Sequence, residues 1–343
     1  TLIPGLPNDL GALILAFVPY SYQSRLKPVC RSWRRFFSSK KSLNCLRQVY
    51  EITSQLLCIF PQDPSISSPY LFDPKHLSWR RLPPMPCNPH VYGLCNFVSV
   101  SVGPHLYVLG GSLFDTRSFP LDRPSPTSAA FRFDFATWSW DSLPPMITPR
   151  GSFACAPSPD RGRILLAGGG SRHAVFGAGG SRTSSAEMYD ISRGEWVGLD
   201  GLPRFRAGCV GFVLGREFWV MGGYGESRTV SGVFPVDEYY RDAAVMELDN
   251  GCRWREIGDM WEEGERRKLG RIAIVEDGGG AFMLDRGQIF RYDMVSNRWR
   301  KETCLPRRRS PEGDASSVVG FVGMEGELHV LELVPDCDSR QTR

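Results

Sequence analysis

The sequence lacks most of what would mark an enzyme, a membrane span or a disulfide-stapled domain. No apolar run reaches the roughly 18 residues that a membrane-crossing helix needs. Thr1 to Leu10 show none of the charged-then-apolar layout of a secretory leader. The ten cysteines are scattered from Cys30 to Cys337, and none forms a C-x-x-C pair. The five histidines show no H-x3–5-H spacing, so no structural zinc site is predicted. Free thiols packing as small apolar groups, in a reducing cytoplasm or nucleus, are the expectation. There is no G-x-S-x-G element for a hydrolase nucleophile. Gly168-Gly169-Gly170-Ser171 follows a strand-like run but lacks the Gly-Lys-Ser/Thr ending of a phosphate loop. His76, His90, His105, His173 and His329 are too far apart to suggest a metal centre, and no cofactor is expected. A net charge of +4 is too small to imply nucleic acid or a membrane surface.

Glycine and proline are plentiful, at 36 and 26 of 343 residues. Their number predicts many turns and hence many short strands. The length accommodates a small module and a larger one.

Residues 6–37 read as the small module. Asn8 or Asp9 is placed to cap a helix. Leu10, Leu13, Ile14, Phe17 and Val18 follow at helical spacing, and Pro19 is expected to end that helix. Pro28 fits the first turn of another helix, which carries Val29, Cys30, Trp33 and Phe36 or Phe37 on one stripe. Arg31, Arg34 and Arg35 take its other face, as part of a basic stretch expected to be solvated or matched to an acidic partner. A unit of this size buries too little apolar surface to be comfortable alone.

The remainder is organised by a repeat. An aromatic-Asp pair is followed, six residues after the Asp, by Trp. It occurs as Phe72-Asp73 with Trp79, Phe133-Asp134 with Trp140, Tyr189-Asp190 with Trp196, and Tyr292-Asp293 with Trp299. Asp249 with Trp254 is one residue shorter. Glycine doublets close apolar runs at Gly110-Gly111, Gly168-Gly169 and Gly222-Gly223, and Leu-Pro turns follow at Leu82-Pro83, Leu143-Pro144 and Leu202-Pro203. Each repeat has room for about four short strands, with Trp wedged between neighbouring units. Two further strand-like runs, 317–322 and 327–333, are expected to complete an early unit and close a ring.

The order Leu6-Pro7, Ile14-Leu15, Val18-Pro19, Leu26, Val29-Cys30, Trp33 resembles the F-box, and the repeat resembles the kelch motif of β-propellers. The combination is similar to plant F-box/kelch-repeat proteins. The resemblance implies an α+β multidomain chain. A small three-helix F-box spans 1–48, an all-β kelch propeller spans 49–335 with five clear repeats and room for a sixth blade, and a disordered tail spans 336–343. It further implies a non-catalytic receptor of a Skp–cullin–F-box ubiquitin ligase. Leu6, Pro7, Ile14, Leu15, Val18, Pro19, Val29, Cys30 and Trp33 would meet the Skp-type adaptor, and propeller loops would hold a protein target. A kelch scaffold without ligase attachment and, behind it, a propeller metal oxidase are the alternatives.

Long segments between second and third strands (112–127, 170–184 and 224–241) and the blade-to-blade linkers should emerge on one face. Arg117, Arg172, Arg182, Arg228, Phe176 and Tyr239 lie on the first set. Arg150 and Arg206, on the linkers, are read either as braces or as target contacts. Together they predict a basic, aromatic-rich rim that grips an acidic or polar target segment. Glu262 to Lys268 reads as a solvated loop, and Arg307-Arg308-Arg309 as a weak nuclear-import signal.

Overall fold

Proline sets the first two helices. Pro7 and Pro19, with φ near −52° and −53° and extended ψ, stand immediately before α1 (Asn8–Ala16) and α2 (Tyr20–Leu26). A proline has no N–H to leave unsatisfied there. α3 (Arg31–Ser38) starts behind Cys30, whose Sγ accepts from Trp33 N at 3.4 Å. α4 (Lys40–Val49) follows after the single residue Ser39. The computed structural model describes residues 1–50, 55–61, 68–86, 92–115, 125–135, 137–171, 181–230, 234–249, 253–261, 269–275, 280–306 and 317–333.

Several sequence expectations change here. Asn8 is no cap; its Oδ1 accepts from Leu2 N at 3.0 Å and ties down the N-terminal strand of chain. Pro19 opens α2, because α1 has already ended at Ala16. Pro28 lies ahead of α3 rather than in its first turn. The fourth helix is an addition to the three expected, and it is structural. Leu43 on α4 joins Leu15, Ala16 and Phe37 in one buried cluster, with Leu2, Val18, Leu26, Trp33, Phe36 and Leu46 packed around it. Arg47 Nη1 donates to Ala16 O and Val18 O, both at 3.1 Å, satisfying carbonyls left open at the end of α1.

The strands follow in blades. Blade 1 is β1 (Leu57–Ile59), β2 (Tyr70–Asp73) and β3 (Ser78–Arg81). A linker strand β4 (Tyr92–Cys95) leads to blade 2: β5 (Val98–Val102), β6 (His105–Leu109), then β7 (Ser112–Asp115) and β8 (Ser125–Pro126) outside the blade, then β9 (Ala130–Asp134) and β10 (Ser139–Ser142). Blade 3 is β11 (Ala154–Pro157), β12 (Arg163–Ala167), β13 (Ala186–Asp190) and β14 (Glu195–Leu199). Blade 4 is β15 (Val210–Leu214) and β16 (Glu217–Met221), the outlying hairpin β17 (Tyr224–Val230) and β18 (Phe234–Tyr239), then β19 (Ala243–Glu247) and β20 (Trp254–Ile257). Blade 5 is β21 (Arg271–Val275), β22 (Gly280–Asp285), β23 (Gln288–Asp293) and β24 (Arg298–Cys304), and β25 (Ser317–Met324) pairs with β26 (Glu327–Leu333) in a last hairpin.

The repeat motif is the hairpin between each blade's last two strands. Phe72 faces Trp79, Phe133 faces Trp140, Tyr189 faces Trp196 and Tyr292 faces Trp299 directly across the ladder. Their ring centroids are 4.5–5.1 Å apart. The Asp of the motif shapes the turn. Asp190 Oδ1 accepts from Ser192 N and Arg193 N, and Asp293 Oδ1 from Val295 N and Ser296 N. The Trp then binds the preceding unit: Trp140 Nε1 donates to Pro83 O at 3.0 Å, Trp196 to Pro144 O at 2.8 Å and Trp254 to Asp200 O at 2.7 Å. The Leu-Pro turn and the tryptophan are therefore two halves of one inter-blade contact. Trp299 is the one sealed in the core, 4% exposed; Trp79, in the first blade, is 61% exposed.

The apolar core is divided into wedges between blades. One cluster joins Val102, Tyr107 and Leu109 of blade 2 to Ile164, Leu166 and Tyr189 of blade 3. Others join blades 3 and 4 through Leu165, Ala186, Phe218 and Met246, and blades 4 and 5 through Trp219, Val245, Met283 and Trp299. The ends of the series meet through the last hairpin. Gly323 on β25 lies against Ile274 of β21, while Glu325 N donates to Gln55 Oε1 at 3.1 Å and the Glu325 carboxylate pairs with Lys75 at 2.6 Å. That hairpin touches both blade 5 and blade 1, but it is a separate two-stranded sheet among the described residues and does not complete the first blade as its strand-like runs had suggested.

Candidate functional site

Two surfaces stand out, one on the helices and one on the loops. On the helices, α1 turns its i, i+4, i+7 stripe of Leu10, Ile14 and Phe17 outward; Ile14 is 50% exposed. Leu6 and Val29 are also exposed apolar side chains, and Pro7 and Cys30 lie open beside them. Trp33 and Val18 are half-buried, and Trp33 Nε1 donates to Leu2 O at 2.7 Å. Leu15 departs from the sequence reading. It is 2% exposed and belongs to the helical core, so it supports the exposed apolar face from beneath. Leu10 and Phe17, which the sequence put on the apolar helix stripe but not among the adaptor contacts, lie on the open face with Ile14.

This module is seated on blade 1. α2 packs on β3, and the Tyr22 ring meets His76 edge-on at 5.5 Å. His76 lies in the turn joining β2 to β3. Antiparallel blades put that turn at the end opposite the linkers, so the docking module and the loop rim occupy opposite ends of the propeller.

The rim is built of small secondary sheets. In blade 2, linker strand β4 pairs with β7, which pairs with β8. In blade 3, Gly151 bridges Gly170 and Gly170 bridges Arg182. In blade 4, Ala207 bridges Tyr224 at the foot of the β17–β18 hairpin. Segments expected as loops are thus partly strands, because a linker passes close enough to offer them a ladder. The glycine doublets permit that approach. Gly110 and Gly168 have φ of 58° and 70°, and a Cβ on either would collide with the carbonyl of Arg150 or Arg206 on the passing linker. Crowding at the linker, rather than at the ring axis, is what demands glycine.

Arg150 and Arg206 are braces, which corrects their place among target contacts. Arg150 is 0% exposed. Its Nη1 donates to Gly168 O at 2.7 Å and Ser185 O at 2.8 Å, and its Nη2 to Ser185 Oγ and Glu187 Oε1, both at 2.7 Å. Burial pushes the Arg150 pKa down and the Glu187 carboxylate opposes that shift. Arg206 repeats the arrangement one blade later, with Gly222 O at 2.6 Å and Asp242 at 2.9 Å. Arg182 is likewise engaged: it pairs with Asp237 of β18 at 2.8 Å and lies over the Tyr224 ring. Tyr239 packs edge-on against Tyr224 at 5.9 Å. Arg204 pairs with Asp242 and Glu256, and Arg241 with Asp259. Arginines that read as a basic rim are, in these cases, matched by acids of the next strand or linker. Arg228 lies on β17 opposite Val236, and its side chain is outside the described set. Arg117, Arg172 and Phe176 lie outside the described residues, as do 262–268 and 307–309.

Among the described residues the rim also exposes apolar side chains. Ile147 and Phe205, on successive linkers, and Val236, on β18, are open to solvent. Sequence reading passed over Phe205 and Val236 because each sits beside an arginine or acid that carried the stronger signal, and over Ile147 because it follows the Leu-Pro turn as one more apolar residue. Among the described residues no group of three His, Cys, Asp or Glu side chains gathers to hold a metal ion, and His90 and His173 lie outside that set. The described cysteines are free thiols: Cys155 and Cys209 are buried, Cys58 and Cys95 half-buried, and Cys30, Cys45 and Cys304 exposed.

The chain compares with known proteins over both surfaces. Residues 3–45 match the F-box domain, and residues 93–147 match the Kelch motif. It is 58% identical to the F-box/kelch-repeat protein OR23 of Arabidopsis thaliana, over 100% of this chain and 82% of that protein. It is 24% identical to the Arabidopsis F-box/kelch-repeat protein At1g16250, over 96% of this chain and 82% of that one. Among solved structures, that of YjhT superposes with a TM-score of 0.56 at 13% identity, covering 80% of this chain and 89% of the other, a likeness of fold. With an F-box followed by kelch blades, and with that full-length identity, the chain belongs to the plant F-box/kelch-repeat family.

Proposed function

We propose that the protein is the substrate receptor of a Skp–cullin–F-box ubiquitin ligase, with the helices docking a Skp-type adaptor and the rim holding a protein target. One observation carries this reading. The helical module seals Leu15, Phe37 and Leu43 inside while leaving Leu6, Leu10, Ile14, Phe17 and Val29 outside as one unpartnered apolar face. A free-standing cap would have turned that face onto the propeller. Exposed apolar patches of this kind mark binding surfaces. The opposite end of the propeller is left open for a target. The receptor works in the cytoplasm or nucleus, contributes no catalytic group, and delivers its target to the ligase that carries out the transfer.

The test is co-purification of the full chain with a recombinant Skp-type adaptor. Leu6→Ala with Ile14→Asp is expected to weaken that complex about a thousandfold, since central apolar anchors contribute on the order of 2 kcal/mol each. Leu77→Ala, an exposed leucine on the blade 1 turn, is the surface control. Retention of the adaptor by the double variant would favour a kelch scaffold working without a ligase. A target is sought by blocking the cullin and identifying what accumulates on the receptor, with Ile147→Asp and Phe205→Asp expected to lose it.

A further inference from the structure

The basic residues of this chain are very unevenly divided, with 35 arginines and six lysines. The six are Lys27, Lys40, Lys41, Lys75, Lys268 and Lys301. Between Lys75 and Lys268 every one of twenty basic positions is arginine. That stretch contains the whole of blades 2, 3 and 4, together with the secondary sheets that make the rim. Lys27, Lys40 and Lys41 belong to the helical module, and Lys75 lies on the blade 1 turn next to it, paired with Glu325. Lys301 is on β24, the outer strand of blade 5. Lys268 belongs to the linker between blades 4 and 5, at the margin of the arginine-only stretch, and lies outside the described residues.

Arginine and lysine are nearly equivalent as surface charges but not as nucleophiles. In ubiquitin transfer the lysine ε-amine attacks the carbonyl of the ubiquitin thioester. The C–N isopeptide bond forms, the C–S bond breaks, and the enzyme's cysteine leaves, with the amine's proton released. A guanidinium is delocalised, stays protonated, and has no free lone pair for that attack. A receptor holding its target beside a charged thioester also holds its own rim there, permanently tethered. Tethering raises the effective concentration of any amine on that rim far above that of a free one. A lysine on the rim would compete with the target at every cycle.

We propose that the arginine-only rim of blades 2–4 makes that part of the target face inert to the receptor's own ligase, so that acyl transfer over those blades falls on the target's amines, leaving Lys268 on the blade 4–5 linker as a native amine at its margin. The proposal rests on the ligase reading above.

The experiment is target-free self-ubiquitination of the full chain, assembled with adaptor, cullin, RING protein, activating and conjugating enzymes, ubiquitin and ATP, with modified lysines mapped by mass spectrometry. Ile147→Lys and Phe205→Lys each place an amine on the exposed rim, and Arg193→Lys places one on the turn between β13 and β14, at the opposite end of blade 3. A melting temperature matching that of the natural chain certifies each fold, and two rim sites guard against one failing to fold. The expected result is ubiquitin on Lys at 147 and 205, about tenfold more than at 193. An assembled complex that builds ubiquitin chains yet leaves both rim sites bare, or modifies all three sites equally, overturns this proposal alone. If the chain fails to assemble with adaptor and cullin, the ligase reading fails and this proposal falls with it.

Discussion

The guanidinium of Arg150 shows how one residue ties three segments together. It spans the linker, the glycine doublet of blade 3 and the strand carrying Glu187, with nothing left over for solvent. Arg150→Ala would strand a buried carboxylate, and denaturant unfolding should show a loss of about 3–5 kcal/mol. Arg150→Met combined with Glu187→Leu should lose less than the single change, because the charge is then removed from both sides. Thiol chemistry is a second matter at this scale. Burial pushes the Cys58 pKa up to about 12 and those of Cys95 and Cys209 up to about 11, and drives Cys155 upward as well. Since the thiolate is the reacting species, alkylation of the native protein at pH 8 should label Cys30, Cys45 and Cys304 and spare these four. Labelling of Cys155 before unfolding would contradict the packing described.

The element that repeats is the hairpin of aromatic, Asp and Trp, and its copies are not energetically equal. Trp299→Ala should cost about 3–5 kcal/mol by the measure of large buried aromatics, while Trp79→Ala, at an open site, should cost within about 0.5 kcal/mol. Parallel urea titrations of the two variants decide this. Hydrogen bonds from Ser192 hold the Asp190 carboxyl below the usual carboxylate range, and those from Ser296 do the same for Asp293. A depressed folded-state pKa adds stability above the unfolded value of about 4, and loses it as pH falls through the lower folded value. The urea midpoint should therefore hold between pH 7 and 5 and drop below about pH 4, with Asp190→Asn flattening the drop. The hairpin was readable from spacing alone, because six residues from Asp to Trp fix a turn and a cross-strand pair. The glycine doublets were readable too, but their reason was not. What crowds the first glycine, at Gly110 and Gly168, is a linker some 40 residues further along the chain, while the second meets the linker before it, at Cys95 O for Gly111 and Gly151 O for Gly169.

At the scale of the molecule, the last hairpin is the joint between the two ends of the ring. A chain ending at Pro306 would uncover β21, where Ile272 and Ile274 pack beside the blade 4–5 core, and would leave Gln55 and Lys75 without their contacts to Glu325. Such a chain should melt at least about 5 °C lower and aggregate on an opened edge, as light scattering during a thermal ramp would show. The single change Glu325→Ala should matter far less, because an exposed ion pair is worth at most about 1 kcal/mol. The same geometry places the exposed apolar helices against the turn end of blade 1 and the linker rim at the other end, so the two candidate surfaces are separated by the thickness of the propeller.

What the sequence determined by itself is whatever depends on neighbours within a few residues or on a repeated spacing. That includes the helices behind Pro7 and Pro19, the four-strand unit, the Asp turn and the Leu-Pro punctuation. Tertiary structure alone decided which side chains remain available. Ile14 and Leu15 are adjacent and equally apolar, yet the helical core with Leu43 of α4 covers one and leaves the other exposed. Arg150 and Arg182 read as rim charges until strands 35 or more residues away supplied Glu187 and Asp237. Charge and hydrophobicity are properties of a residue, whereas availability depends on what the fold brings beside it.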